Sequence, residues 1–291
     1  MKFGAHQSFY LRVNWLSKAI KMQDENPRFF FDDFAFEKIG LGRNMVKSLR
    51  YWIVATNVME EGKDDNRQSI HQLTEFGKLV AVFDRFMRLP LTSVVLHYML
   101  ATNKEHATTW YWFFNEYNHR SSNNEDIHGA LSEWVTQHHK RPVSANTLKR
   151  DLDCLKQMYT ARAKIDNDPE EVVASPLSGI ELIYDSREQF IKNSPGLERL
   201  DMDGLYFGLL HYCYIHQVDS VTLEEIQIKP QLWGKLFHLS SNQILEVLEL
   251  FHADPSYPVS FVRTNQIYSL NLEVVDPYIF LQKAYERKAA Y

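Results

Sequence analysis

Apolar positions recur at helical spacing through most of the chain. Phe9, Val13, Leu16 and Ile20 predict an amphipathic helix over residues 9–21, broken at 24–27. The apolar triplet Phe29, Phe30, Phe31 leads into a short segment at 32–39, and Gly40 and Gly42 bracket a tight turn. A second helix is predicted from Arg43 to about Ala55. At about 100° per residue, Met45, Val46, Leu49, Trp52 and Ile53 form its apolar stripe. Arg43, Asn44, Lys47, Arg50 and Tyr51 fall on the opposite face. Residues 57–72 are polar and contain Gly62, Asn66 and Arg67, which suits a hairpin, and 73–77 open another helix. Helix, turn, basic helix and polar hairpin is the order of a winged helix-turn-helix.

Residues 91–117 are strongly apolar and helical in pattern. They include Trp110, Tyr111, Trp112, Phe113 and Phe114, which cannot all share one helix face. Most are expected in the core, with one or two as candidate platforms for stacked bases. A polar linker is expected at 119–125. A second helix pair is predicted at 126–139 and 144–159, with Ser144 as N-cap and Leu148, Leu152, Leu155 and Tyr159 as its stripe. Lys149 and Arg150 lie on its polar face as candidate DNA contacts, diluted by Asp151 and Asp153. The acidic, proline-containing stretch 166–171 predicts a boundary. Beyond it come helices at 205–216, 222–227 and 240–251, then a hairpin pairing 259–263 with 267–272.

The expected fold is therefore mainly α with small β-hairpin wings. A winged helix-turn-helix domain would occupy residues 1–88, a helical middle region 89–168, and an acidic, winged-helix-like α+β module 169–291. The last is read as a surface for a protein partner.

Charge distribution sharpens this division. The whole chain of 291 residues carries a formal net charge of −5, which taken alone argues against nucleic acid. Residues 1–150 carry +4 and residues 151–291 carry −9. Three windows of the first half hold cations and no acid: 1–23 (Lys2, Arg12, Lys18, Lys21), 38–50 (Lys38, Arg43, Lys47, Arg50) and 137–150 (Lys140, Arg141, Lys149, Arg150). Such windows suit phosphate contacts, and equally suit solvated faces. Cys154 and Cys213 are too few for a disulfide framework or a cysteine zinc site. The N-terminus has no signal-peptide pattern, and no apolar run approaches the roughly 18 residues of a membrane span. A cytoplasmic location is expected, with no membrane partner.

Chemical motifs are sparse. There is no phosphate-binding glycine loop, dinucleotide fingerprint, His-Glu-x-x-His or nucleophile elbow. The acid pairs Asp32–Asp33 and Asp64–Asp65 read as solvated loop acids, and the histidines are scattered. No cofactor and no metal site is evident, and a divalent metal is expected only if the chain nicks DNA. The N-terminal stretch is denser. His6, Gln7 and Ser8 are expected beside free N–H groups of the first helix, with Arg12 and Lys18 following, which describes a phosphate site as well as it describes a helix cap. His6 is the candidate general acid or base.

Several blocks of the sequence resemble a known bacterial family. They are Phe3-Gly4-Ala5-His6-Gln7-Ser8-Phe9 through Arg12 and Trp15-Leu16-Ser17-Lys18, and Leu41-Gly42-Arg43-Asn44-Met45-Val46-Lys47-Ser48-Leu49-Arg50-Tyr51-Trp52. Leu96-His97-Tyr98, the aromatic run from Ala107 to Asn115, Ser144 to Asp151 and Ser175-Pro176-Leu177 complete the set. The family is catalogued as a domain of unknown function, DUF4007. Its members accompany the sulfur-transfer proteins of bacterial DNA phosphorothioation and defence systems, and in the single-stranded version the member is the nicking component, the SspB type. The resemblance implies a DNA-binding protein that nicks DNA or presents it for sulfur insertion. Its implied partners are DNA, an ATP-pyrophosphatase or PAPS-reductase-like sulfur-transfer protein and a cysteine desulfurase. The alternative is a non-enzymatic winged-helix regulator or adaptor, and a pure protein scaffold is a third reading.

Overall fold

The first helix starts later than its apolar spacing predicts. In the computed structural model, which describes residues 1–160, 174–186, 189–264 and 267–290, helix α1 is Val13–Glu25 rather than 9–21. Residues 4–8 instead coil into a tight turn, with Gln7 N–H donating to the Gly4 carbonyl and Phe9 N–H to the His6 carbonyl. Gly4, Gln7 and Ser8 take left-handed φ values of 65°, 52° and 65°. The Phe9 carbonyl then accepts from Trp52 Nε1 at 2.9 Å and Ser48 Oγ at 3.2 Å. Phe9 thus belongs to a strap laid over the next helices.

Phe29–Phe31 form a single 3-10 turn, followed by α2 (Ala35–Ile39), the left-handed Gly40 and α3 (Arg43–Ala55). Strands β1 (Met59–Lys63) and β2 (Ser69–Leu73) pair as the expected hairpin, with Met59 opposite Leu73 and Lys63 opposite Ser69. Asp64 shapes the tip by accepting the Gln68 N–H at 2.7 Å. Thr74 caps α4 (Glu75–Phe83).

The interior is helical. It comprises α5 (Pro90–Thr102), α6 (Thr108–Tyr111) and a π-helical turn over Trp112–Glu116. Trp110, Tyr111, Trp112, Phe113 and Phe114 are all buried, so none is the exposed stacking platform expected from the sequence. The segment is enclosed by α5, α8 and α11 and has no solvent side to fill. Strand β3 (Ser121–Asn123) occupies the predicted linker, ahead of α7 (Asn124–His138) and α8 (Ala145–Tyr159). It pairs with β5 (Gln189–Lys192), which pairs in turn with β4 (Ile183–Ser186). These polar or short strands gain their order from partners distant in sequence, so their local pattern is weak. The predicted boundary at 166–171 lies outside the described residues.

The C-terminal part contains α9 (Met202–His216), β6 (Ser220–Thr222), α10 (Leu223–Ile228), α11 (Trp233–Leu236) and α12 (Ser241–Ala253). The predicted hairpin, β7 (Val259–Thr264) and β8 (Ile267–Leu272), takes β6 as a third strand on the β8 edge. A final helix, α13 (Pro277–Ala289), packs on α9 and reaches back to α4. Buried residues from Leu11 to Tyr285 join one hydrophobic cluster. No helix among the described residues is long and apolar enough to cross a membrane.

Two features at the centre carry testable consequences. α5 and α9 approach closely because α9 offers glycine there: a Cβ at Gly204 would sit 2.7 Å from Val94 Cγ1. Gly204→Ala is expected to cost about 1–3 kcal/mol in urea denaturation, the usual penalty for overpacking. On α5, His97 is sealed in the core. Its Nε2–H donates to the Leu236 carbonyl and its Nδ1 accepts from the Tyr159 hydroxyl, both at 2.8 Å. Burial pulls this imidazole from 6.5 down to about 3. The unfolded chain therefore takes up a proton below about pH 6.5 that folded His97 refuses, and stability falls as pH drops from there toward 3. Urea midpoints measured across this range should decline, and His97→Gln should flatten the decline by about one proton.

Candidate nucleic-acid interface

Helix α3 has the amphipathic split its sequence predicts. Val46, Leu49, Trp52 and Ile53 are buried, while Arg43, Asn44 and Lys47 are exposed. None of these three exposed residues has an ion pair among the described residues. Gly42 begins the helix without a side-chain cap, which leaves first-turn N–H groups free of a side-chain acceptor. A cavity of about 440 Å³ runs along this face, between α3 and the segment holding Phe30, Phe31, Asp32, Asp33 and Phe36.

The cations on this face are braced by aromatic rings. The Arg43 guanidinium lies 4.5 Å from the Phe36 ring centre and that of Arg50 lies 4.1 Å from Phe31. Arg50 also donates to Glu61 Oε1 at 3.0 Å, tying α3 to the β1 strand of the hairpin. Partial burial pushes the Glu61 carboxyl up, but the hydrogen bond and charge of Arg50 outweigh that and hold it below its ordinary range. Asp32 is occupied likewise: the Lys38 ammonium and the Phe34 N–H lower its pKa. Asp33 remains as the exposed acid of the groove.

Tyr51 is placed differently from its expectation as a DNA contact. It is half-buried, its ring 6.3 Å from that of His6, and burial followed by the charge of Asp151 pushes its hydroxyl well above the usual range. Its edge of the helix is covered by the N-terminal strap.

That strap is organised around Asp151, on the buried side of α8. Oδ1 of Asp151 accepts from the Gly4 N–H at 2.9 Å and from His6 Nε2 at 2.7 Å, and Oδ2 accepts from Thr109 Oγ1 at 2.8 Å. The Ser8 N–H donates to His6 Nδ1 at 3.1 Å, which fixes the tautomer with the proton on Nε2. The imidazole is 1% exposed and lies between Trp52, stacked at 6.1 Å, and Trp110, edge-on at 5.9 Å. Gly4 is required here, since a Cβ would fall 2.6 Å from Thr147 Cγ2 at a left-handed φ.

This arrangement revises the expected phosphate site. His6, Gln7 and Ser8 are not at a helix N-terminus, because α1 begins at Val13. His6 has both ring nitrogens engaged and no solvent path, so its geometry suits a structural link and offers no access to a phosphodiester. Gln7 and Ser8 are exposed on the turn, and the Ser8 N–H is already donated to His6. Arg12 flanks α1, with its guanidinium 5.9 Å from the Tyr10 ring centre and 5.4 Å from Trp15, and its buried Nε has no acceptor. Lys18 on α1 and Lys149 and Arg150 on α8 are exposed.

The structure also connects what the sequence leaves apart. Asp151 joins the first basic window to the third, and the Phe9 carbonyl joins the first to α3 in the second. Asp151 itself was legible only as an oddity, a carboxylate three residues after Leu148 and four before Leu155 on an apolar stripe. Among the described residues, no group of three or more His, Cys, Asp or Glu side chains could hold a metal ion.

These features define a mainly helical protein with small antiparallel sheets and a cationic helix face beside a hairpin. The chain belongs to the family described as Protein of unknown function (DUF4007), whose model matches residues 3–285. Its fold is similar to that of SspB. Crystal structures of SspB and of magnesium ion-bound SspB each align with a TM-score of 0.87 and 21% sequence identity, covering 100% of this chain and 89% of SspB. The sequence matches no curated protein.

Removing the Asp151 carboxylate strands a buried imidazole, a hydroxyl and a backbone N–H. Asp151→Ala is expected to cost about 2–5 kcal/mol, since each buried donor left unsatisfied costs about 1–3 kcal/mol. Lys149→Ala and Arg150→Ala, on the exposed side of the same helix, should each stay within about 0.5 kcal/mol. Equilibrium denaturation of the three variants checks this contrast.

Proposed function

We propose that this protein is a DNA-binding component of a bacterial phosphorothioation system and that it grips DNA with the outer face of α3. The observation that carries this reading is the row Arg43, Asn44 and Lys47, exposed and unpaired beside a groove on a helix that follows a tight turn and precedes a hairpin. In this reading α2 and α3 form a helix-turn-helix and β1–β2 its wing. Arg43 and Lys47 neutralise phosphates, and Asn44, near the helix start, reads a base edge. Arg50, held by Glu61, joins them by exchanging that carboxylate for a phosphate. The bonds that join the three acid-free basic windows, through Asp151 and through the Phe9 carbonyl, further support a composite positive surface, with Lys18, Lys149 and Arg150 as outlying contacts.

The phosphorothioation context rests on the family resemblance, as do its implied partners, the sulfur-transfer protein and the cysteine desulfurase. The C-terminal half carries a net −9 and is the half assigned to protein contacts. Strand cleavage is assigned to no residue. The magnesium ion named for SspB is not carried to this chain.

Salt-dependent binding to duplex DNA tests the assignment. Each phosphate contact contributes about 0.9 to the slope of log affinity against log salt. Arg43→Ala with Lys47→Ala should reduce that slope by about two and weaken all sequences alike. Asn44→Ala should chiefly relax sequence preference. Unchanged affinity and slope in the double variant would remove α3 from the interface.

A further inference from the structure

A second concentration of positive charge lies away from α3 and shares no residue with α1, α2 or α3. It is a cavity of about 290 Å³ at the end of the π-helical turn, where Asn118, Arg120, Lys192, Lys235 and His238 meet Gly234. Among the described residues, no Asp or Glu lines it. Other cations of the C-terminal half do have acids: Lys288 has Asp201, Arg199 has Glu181 and Lys229 has Glu225.

The fold holds these groups in place. Lys192 closes β5 on the buried phase of the strand, and its Nζ donates to the carbonyls of Phe113 and Tyr117, with the Phe113 ring centre 4.6 Å away. An ammonium group has three N–H donors, so one has no acceptor among the described residues. The Lys235 ammonium is oriented by the Asn118 side-chain carbonyl. His238 stacks on Phe114 at 5.5 Å and gives its Nδ1–H to the Asn193 carbonyl at 3.0 Å, leaving a buried Nε2 with no partner. Arg120 is exposed at the rim and has no ion pair among the described residues. Gly234 lets α11 close onto α10, since a Cβ there would sit 2.1 Å from the Gln227 carbonyl oxygen.

The cations act on one another. Burial, and after it the charge of Lys235, draws Lys192 from 10.5 down to about 7. Burial, then the charge of Lys192 and in smaller part that of Arg120, holds His238 well below its ordinary value, against the opposing Asn193 hydrogen bond. Mutual repulsion in a poorly solvated site is relieved by a bound anion. Several cations of different reach, one a planar fork and two point charges, suit a polyvalent tetrahedral oxyanion better than a single carboxylate.

We propose that this cavity binds a phosphate-class oxyanion, held by the side chains of Arg120, Lys192 and Lys235. The proposal is independent of the α3 reading. The oxyanion has two chemical sources, free inorganic phosphate and the terminal phosphate of a nucleic-acid strand.

Thermal melting of the full chain in sodium phosphate, against sodium acetate and sodium chloride of equal ionic strength, tests it. Saturable stabilisation by phosphate alone is expected. Arg120→Ser, a surface change, and Arg120→Ser with Lys235→Gln should each weaken the phosphate effect, the pair by about tenfold, while melting in chloride stays as in the parent. A short single strand with and without a 5′-phosphate then separates the sources. Variant-sensitive affinity for only the phosphorylated strand identifies a strand end, whereas equal affinity for both strands identifies the free ion, and either supports the site. Stabilisation by acetate or chloride equal to that by phosphate, or a phosphate effect indifferent to both variants, would overturn it.

Discussion

The carboxylate of Asp151 is the constraint on which the N-terminal half depends. A buried charge left without partners costs several kcal/mol, so the chain must bring donors to it. They come from the Gly4 backbone, the His6 ring and the Thr109 hydroxyl, three positions far apart in sequence from α8. Meeting that demand draws residues 4–8 into a turn, keeps 9–12 out of the helix their apolar spacing invites and requires a glycine at position 4. It also presses the strap against Trp52, where the Phe9 carbonyl satisfies the indole N–H. The position of α3 relative to α1 and α8 follows from these bonds.

The division between what could and could not be read in the sequence follows from the range of the interactions. The bounds of α3 and its buried stripe were legible because every residue concerned lies within four turns of the others. The cap Ser144 was legible for the same reason. A helical wheel cannot show that a strap from residues 4–9 covers the edge of α3 that holds Tyr51. His6 has polar neighbours in sequence that look like a site, whereas its contacts in space are two tryptophans and a carboxylate. Strand β3 escaped notice because Ser-Ser-Asn has no strand character until β5 pairs with it. The cavity around Lys192 left one local mark, a lysine on the same strand face as the buried Phe190.

The molecule handles positive charge in two physically different ways. On α3 the cations remain in water, where pairing is weak and exchangeable. The Arg50–Glu61 bridge is of this kind, worth about 0–1 kcal/mol, so a phosphate can replace the carboxylate at little cost. At the second site the Lys192 ammonium is withdrawn from water and compensated by carbonyl dipoles and an aromatic face. Such a site cannot relax by moving a side chain into solvent, because the Lys192 ammonium is clamped at both Phe113 and Tyr117.

That difference separates steering from holding. Exposed Arg43 and Lys47 act over distances set by the ionic atmosphere, about 8 Å at physiological salt, and suit a long polyanion approached along a groove. A half-enclosed set of cations is screened far less and discriminates by the shape and charge of what enters. The π-helical turn makes the second arrangement possible. Its wider i→i+5 turn leaves the carbonyls of Phe113 and Tyr117 to one ammonium, and Asn115, bonded to the carbonyls of Ala101 and Tyr111, fixes the turn from behind. The aromatic run from Trp110 to Phe114 therefore does more than fill the core. By packing on every side it forces the backbone through the turn that positions Lys192.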